Sequence, residues 1–205
     1  MMTLQAHKKQ QRQALLDWRR HLTPAFRAQA SARILAQLYQ TTAFQQAQTV
    51  FAYASTEDEV QLDDLLTHCL ALGKRVCIPH IIGPGLMVAA ELKSLTDLAV
   101  GKFGIRSLKL GVISVVAPEE IDLVIVPGAG FTPAGARLGL GGGYYDRYLP
   151  KLTQARRVAL IFDGQVQTAL PLEAHDQYVD SIITEQRSLD CQAQAGERAA
   201  AVGGR

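Results

Sequence analysis

The sequence has only three cysteines, Cys69, Cys77 and Cys191, and no CxxC pair or Cys/His cluster. An odd count without such spacing argues against a disulfide framework or a structural zinc site. Free thiols in a reducing compartment are the simpler expectation. No uninterrupted apolar run approaches the ~18 residues that a membrane-crossing helix needs. The first twenty residues carry Lys8, Lys9, Arg12, Arg19 and Arg20 and no apolar segment of secretory type, so the cytoplasm is the expected compartment. Charge of one sign is also lacking: 21 Lys and Arg against 19 Asp and Glu give a net +2. That balance argues against nucleic acid or an anionic membrane as partner. No GxxxxGK[ST] loop occurs, and no GxGxxG follows the first strand, so the usual P-loop and dinucleotide fingerprints are absent.

What is present is an alternating α/β pattern. The chain has 205 residues, 48% hydrophobic and 20% charged, which suits one globular domain. Residues 4–20 read as a helix with Leu15, Trp18 and Leu22 on one stripe and Lys8, Arg12 and Arg19 on the surface. Thr23-Pro24 starts a second helix that runs to about Tyr39. Thr49–Ser55 reads as a buried strand, and Leu62–Leu70 as a helix that ends near Gly73, with Cys69 on its apolar face. Arg75–Pro79 reads as a strand parallel to the first. Met87–Leu92 is a candidate strand, and Lys93–Gly104 a loop with a turn of helix. Ile121–Pro127 is the best strand in the sequence. A helix over Tyr144–Leu152 and strands at Arg157–Phe162 and Asp180–Thr184 complete the pattern. It predicts a three-layer α/β fold with an open, mostly parallel sheet and helices on both faces. Residues 1–186 form the expected domain. Residues 187–205, rich in Ala, Gln and Gly, are expected to be a flexible tail.

The stretch Pro127–Asp146 follows the best strand and precedes a helix, where α/β sheets bind ligands. Its glycines let backbone N–H groups approach an anion. The helix that follows offers a positive N-terminal end, and Arg137 a planar fork for phosphate. A tight crossover would also use glycines, but it would not require Arg137, Tyr144, Tyr145 and Asp146 at fixed offsets. Lys8 and Arg12, four apart, read either as a solvated basic face or as two cations closing over a polyphosphate. Glu57, Asp58 and Glu59 read either as an acidic first turn or as site residues. Asp176 reads as a turn residue or, with Asp146, as a magnesium ligand beside phosphate. His175 is not expected to act as an acid or base. A non-catalytic binding module and a phosphate-using ligase or kinase both stay open at this level.

Taken together, these segments resemble the 5-formyltetrahydrofolate cyclo-ligase family, from about Lys8 to Thr184. The resemblance rests on Gly141-Gly-Gly-Tyr-Tyr-Asp-Arg147, Pro127-Gly-Ala-Gly-Phe131 and Arg137-Leu-Gly139. It also rests on Lys8…Arg12, Asp58-Glu59 and Leu170-Pro171…His175-Asp176…Val179-Asp180. It implies an ATP- and magnesium-dependent ring closure of 5-formyltetrahydrofolate to 5,10-methenyltetrahydrofolate through a phosphorylated formyl group. It further implies a fold like that of sugar-phosphate isomerases and CoA transferases, small-molecule substrates only, and a monomer. By the same resemblance, Lys8, Arg12, Arg137, Leu138, Gly139, Leu140, Gly141, Gly142, Gly143, Tyr144 and Tyr145 hold ATP. Asp146 and Asp176 hold magnesium, and Ala54, Glu59 and Leu140–Tyr144 meet the folate. Arg137, Tyr144 and Asp146 are the expected catalytic set. The sequence departs from the family at Gly104-Ile-Arg-Ser-Leu108, where Gly-Ile-x-Glu-Pro is expected. Gly85–Ala90 also lacks aromatic residues beside the folate.

Overall fold

Threonine side chains start the first helices. Thr3 caps α1 (Leu4–Arg20) by accepting from the Ala6 amide, and Thr23 caps α2 (Pro24–Tyr39) by accepting from the Phe26 amide, with Pro24 in the first turn. Thr41 does the same for the short α3 (Thr42–Gln46). The structure, a computed structural model, describes residues 2–101, 105–109, 111 and 113–191. Among these, no helix is long and apolar enough to cross a membrane.

The sheet is built from β1 (Thr49–Phe51), β2 (Arg75–Gly83), β3 (Leu86–Leu92), β6 (Val115–Val116), β7 (Leu123–Ile125), β10 (Arg156–Leu160), β11 (Ser181–Ile183) and β12 (Ser188–Asp190). Between them lie two small hairpins, β4 (Leu98–Val100) with β5 (Arg106–Leu108), and β8 (Gly130–Phe131) with β9 (Arg137–Leu138). The eight strands run in the order β12-β11-β10-β7-β1-β2-β3-β6. The inner pairs β11–β10, β10–β7, β7–β1 and β1–β2 are parallel, and the three outer pairs are antiparallel.

Side chains alternate across this sheet with the two-residue strand period. Val50, Val76, Ile78, Leu123, Ile125, Val158 and Leu160 enter one core with Ile34, Leu35 and Leu38 of α2, Phe44 of α3, and Leu65, Leu66 and Cys69 of α4 (Asp63–Ala71). Phe51, Cys77, Val124 and Ala159 enter the opposite core with Tyr148 of α5 (Tyr144–Tyr148) and with Leu149 and Leu152 beyond it. The three layers follow from that alternation.

Three expectations need correction. First, β2 does not end at Pro79. Arg75 N donates to Gln48, and Cys77 O accepts from Ala52, so odd-numbered residues of β2 face β1. Pro79 faces the same side beyond the last β1 pairing, where no N–H is needed, and β2 continues into a hairpin with β3. Second, Lys93–Gly104 holds the expected turn of helix, a 3-10 turn at Leu95–Asp97, but the loop beyond it contains strand β4; Lys102–Gly104 lie outside the described residues. Third, residues 188–190 pair with β11 as an antiparallel edge, so the chain is still in the sheet beyond residue 187. Residues 192–205 of the expected tail lie outside the described residues.

Candidate active site

The chain leaves β1 toward β2 on one side and leaves β7 toward β10 on the other, so β1 and β7 flank the switch in strand order. Open α/β sheets bind ligands at that crevice. Two adjoining cavities lie there. The larger, about 320 Å³, is largely apolar and includes Tyr53, Ala54, Glu59, Ile81, Met87, Ile105, Leu140, Tyr144 and Tyr145 in its wall. The other, about 250 Å³, is polar and is lined by Lys8, Arg12, Gly139, Gly141–Gly143, Asp146, Arg147, Glu173, His175 and Asp176. Gly139, Gly142, Gly143 and Asp146 line both.

The glycine loop owes its course to backbone demands as well as to ligand access. Gly141 has φ +103° and Gly143 φ +65°, left-handed values that side-chain-bearing residues rarely adopt. Gly142 has no such requirement, but a Cβ there would sit 2.8 Å from the Tyr144 ring. The helix after the loop has five residues before tightening to 3-10 geometry. So short a helix has little macrodipole, and the expected help from its positive end reduces to a few free amides.

Helix α1 supplies the cations. Lys8, Arg12, Leu15 and Arg19 fall at i, i+4, i+7 and i+11 on one face. Lys8, Leu15 and Arg19 are buried, which corrects the expectation that Lys8 and Arg19 stay on the surface. Leu15 packs on Ala129 and Leu138 and sets the helix against the loop. Lys8 Nζ donates to both Asp176 oxygens at 2.8 and 2.6 Å and to Glu173 Oε2 at 2.9 Å. Arg12 Nε donates to the Gly139 carbonyl at 2.7 Å. Arg19 Nη2 meets Asp58 Oδ2 at 2.9 Å, and its Nη1 lies 3.6 Å from Glu59 Oε1. Glu59 is itself buried and accepts from the Thr56 amide at 2.8 Å, so its carboxylate is fixed at the wall of the apolar cavity.

Arg137 is buried. It is 2% exposed, donates to the Pro127 carbonyl at 3.0 Å and pairs with Asp146. Its guanidinium is engaged with the scaffold here, holding Asp146 and the Pro127 carbonyl. Arg137→Ala is expected to lower the unfolding free energy by about 2–4 kcal/mol, because it leaves Asp146 beside an empty buried space. An unchanged urea midpoint would show that the pair does not hold this loop. Leu138 is fully buried and lines neither cavity, and Tyr145 lines only the apolar one. Burial and the nearby Glu59 charge push the Tyr53 and Tyr145 hydroxyls far above the ordinary tyrosine range, so both stay protonated.

Glu173 was not among the sequence candidates. Donor atoms of Glu173, His175 and Asp176 lie within 4.8 Å of one another, and Asp146 lines the same cleft. Carboxylates beside free amides suit a hard cation that keeps water and phosphate ligands.

Asp58 and Glu173 also set an acid limit. Burial alone would raise the Asp58 carboxyl, but the charge and hydrogen bonds of Arg19 bring it below its ordinary 3.8. The hydrogen bond from Lys8, helped by its charge, holds Glu173 below 4.5. Both values are depressed, so the stabilisation is complete above the unfolded-state values and is lost as pH falls through the depressed ones. Urea midpoints should hold steady from about pH 7 to 5 and drop below about pH 4.5, with Arg19→Met removing the Asp58 share. A midpoint that stays level down to about pH 3 would contradict this.

A family model described as the 5-formyltetrahydrofolate cyclo-ligase family matches residues 4–185. The chain is 28% identical over 170 residues to 5-formyltetrahydrofolate cyclo-ligase of Escherichia coli strain K12, covering 81% of this chain and 93% of that one. It is 27% identical over 195 residues to the Mus musculus cyclo-ligase, covering 90% and 96%. The solved structure of Aquifex aeolicus 5,10-methenyltetrahydrofolate synthetase superposes with a TM-score of 0.80 at 31% identity, over 90% of this chain and 93% of that one. A synthetase from Mycoplasma pneumoniae shares the fold, with a TM-score of 0.71 at 23% identity over 87% and 98% of the two chains. With its matched span running through both cavities and every strand from β1 to β11, the chain belongs to the 5-formyltetrahydrofolate cyclo-ligase family.

Proposed function

We propose that this enzyme uses ATP to close 5-formyltetrahydrofolate into 5,10-methenyltetrahydrofolate, releasing ADP and phosphate. The observation that carries the reading is the shared wall. An apolar cavity of the right character for a flat ring system and a polar cleft of the right character for a polyphosphate meet at Gly139, Gly142, Gly143 and Asp146. A phosphoryl group held at that wall lies beside a formyl group held at the same wall.

In this reading, Tyr53, Met87, Leu140 and Tyr144 enclose the pterin, and Glu59 accepts its N–H donors beside the backbone at Ala54. Lys8, Arg12 and the amides of Gly139–Gly143 hold the phosphates. Asp146 and Asp176 hold magnesium, which shields phosphate charge when bound. The formyl oxygen attacks the terminal phosphorus and ADP leaves, giving an iminium phosphate. N10 then attacks the formyl carbon, the C–O bond breaks, and phosphate departs with the proton that N10 loses. The formyl oxygen is a poor leaving group until it carries phosphate. The protein therefore supplies position and electrostatic stabilisation, and no covalent nucleophile is required. Arg137 and Tyr145 act from below the loop, Arg137 by positioning Asp146 and Tyr145 by supporting the pocket floor against Phe51.

The test is a coupled assay with 5-formyltetrahydrofolate, ATP and magnesium, reading methenyl absorbance and ADP together. One ADP per methenyl product is expected. ADP release without methenyl, or no product from folded protein, would move the enzyme to another ATP-using reaction.

A further inference from the structure

Arg147 lines the polar cleft, yet the reaction proposed above gives it no role. It is exposed, but its guanidinium is tied at two edges. Nε donates to the Gly85 carbonyl at 2.8 Å, and Nη2 to the Gly142 carbonyl at 2.8 Å. Gly85 lies in the turn between β2 and β3, and this hairpin contributes Ile81 and Met87 to the apolar cavity. Gly142 belongs to the loop common to both cavities. One planar fork thus joins the wall of one cavity to the floor of the other, which a point-charge ammonium does less well. Gly85 lies directly under this contact, and its left-handed backbone favours glycine in the turn on its own account. Its φ is +70°, and a Cβ there would collide with the Arg147 guanidinium.

We propose that Arg147 couples the two substrate sites. A ring system bound in the apolar cavity steadies the hairpin. Through Arg147 the hairpin steadies the glycine loop at the spacing that phosphate needs, and a bound polyphosphate steadies the hairpin in return. Arg147 is then a positioning residue acting through Gly85 and Gly142. Two hydrogen bonds from an exposed side chain are individually weak, so the link can respond to occupancy. This inference rests on the function proposed above.

The experiment measures, by calorimetry, the Kd of a magnesium-bound non-hydrolysable ATP analogue with and without saturating 5-formyltetrahydrofolate, and then the reverse. The native chain should show a mutual gain of about fivefold or more, equal in both directions as linkage requires. Arg147→Ala should reduce the gain to less than about twofold. Gly85→Ala keeps the cation but displaces it and should do the same, while Arg147→Lys should restore only part of the gain. In kinetics, the KM of each substrate at saturating partner should rise, with kcat changing less. A full gain in both alanine variants, or no gain in the native chain, would overturn the coupling. Loss in Arg147→Ala alone would assign the effect to charge and overturn the cross-link. If the native chain failed to bind 5-formyltetrahydrofolate at all, the functional reading would fail first and take this inference with it.

Discussion

Asp146→Asn is expected to cut turnover by about a thousandfold or more while folate affinity stays within about threefold. The substitution is nearly isosteric. The side-chain oxygen that meets Arg137 survives, so the loop should keep its course. What disappears is the negative charge at the wall common to both cavities. On the proposed reading that charge helps hold the metal carried with the nucleotide, and the loss falls on phosphoryl transfer rather than on ring binding. Methenyl formation across a magnesium series, beside a folate titration, checks it. Native-like turnover would remove Asp146 from the metal site, and a matching loss of folate affinity would point to a collapsed loop.

Lys8→Ala should raise the KM for ATP by about a hundredfold, equivalent to roughly 3 kcal/mol, and the KM for folate by less than about threefold. The size follows from burial. Lys8 is 5% exposed and holds both oxygens of Asp176, so its removal also leaves a buried carboxylate uncompensated, facing an anionic substrate. Attraction is lost and repulsion is added together. Steady-state kinetics with each substrate varied in turn would decide, since equal rises in both KM values would place Lys8 in the fold and not in the nucleotide site.

Much of the architecture was legible because local chemistry and tertiary need agree. Thr3, Thr23 and Pro24 mark helix starts in the sequence and serve as such. Gly73, expected to end a helix, has φ +73° just after α4. The glycine loop was legible because Gly141 and Gly143 need left-handed backbone and because Asp146 follows at a fixed step. Arg137 was only half legible, since a guanidinium in a glycine loop suits both an anion site and a buried brace, and only packing shows the brace. Arg19 was misassigned although the signal existed: it continues the Lys8, Arg12, Leu15 face by one more turn. Pro79 shortened β2 on paper because the sequence does not reveal that its missing N–H points past the end of β1. Glu173 carries no motif of its own, and only the fold brings it beside Lys8 and Asp176. Ser188–Asp190 offers too few apolar residues to announce an edge strand.

The population of side chains around the polar cleft has a consequence for which form of nucleotide enters. With Arg137, which holds Asp146, the cations Lys8, Arg12 and Arg147 exceed Asp146, Glu173 and Asp176 by only one charge. A pocket so nearly neutral has little to offer a bare tetra-anion and suits one whose charge a divalent ion has already halved. On the proposed reading, velocity should track the concentration of chelated ATP, and a surplus of unchelated ATP should compete poorly. A rate that followed total nucleotide regardless of magnesium would contradict that selectivity.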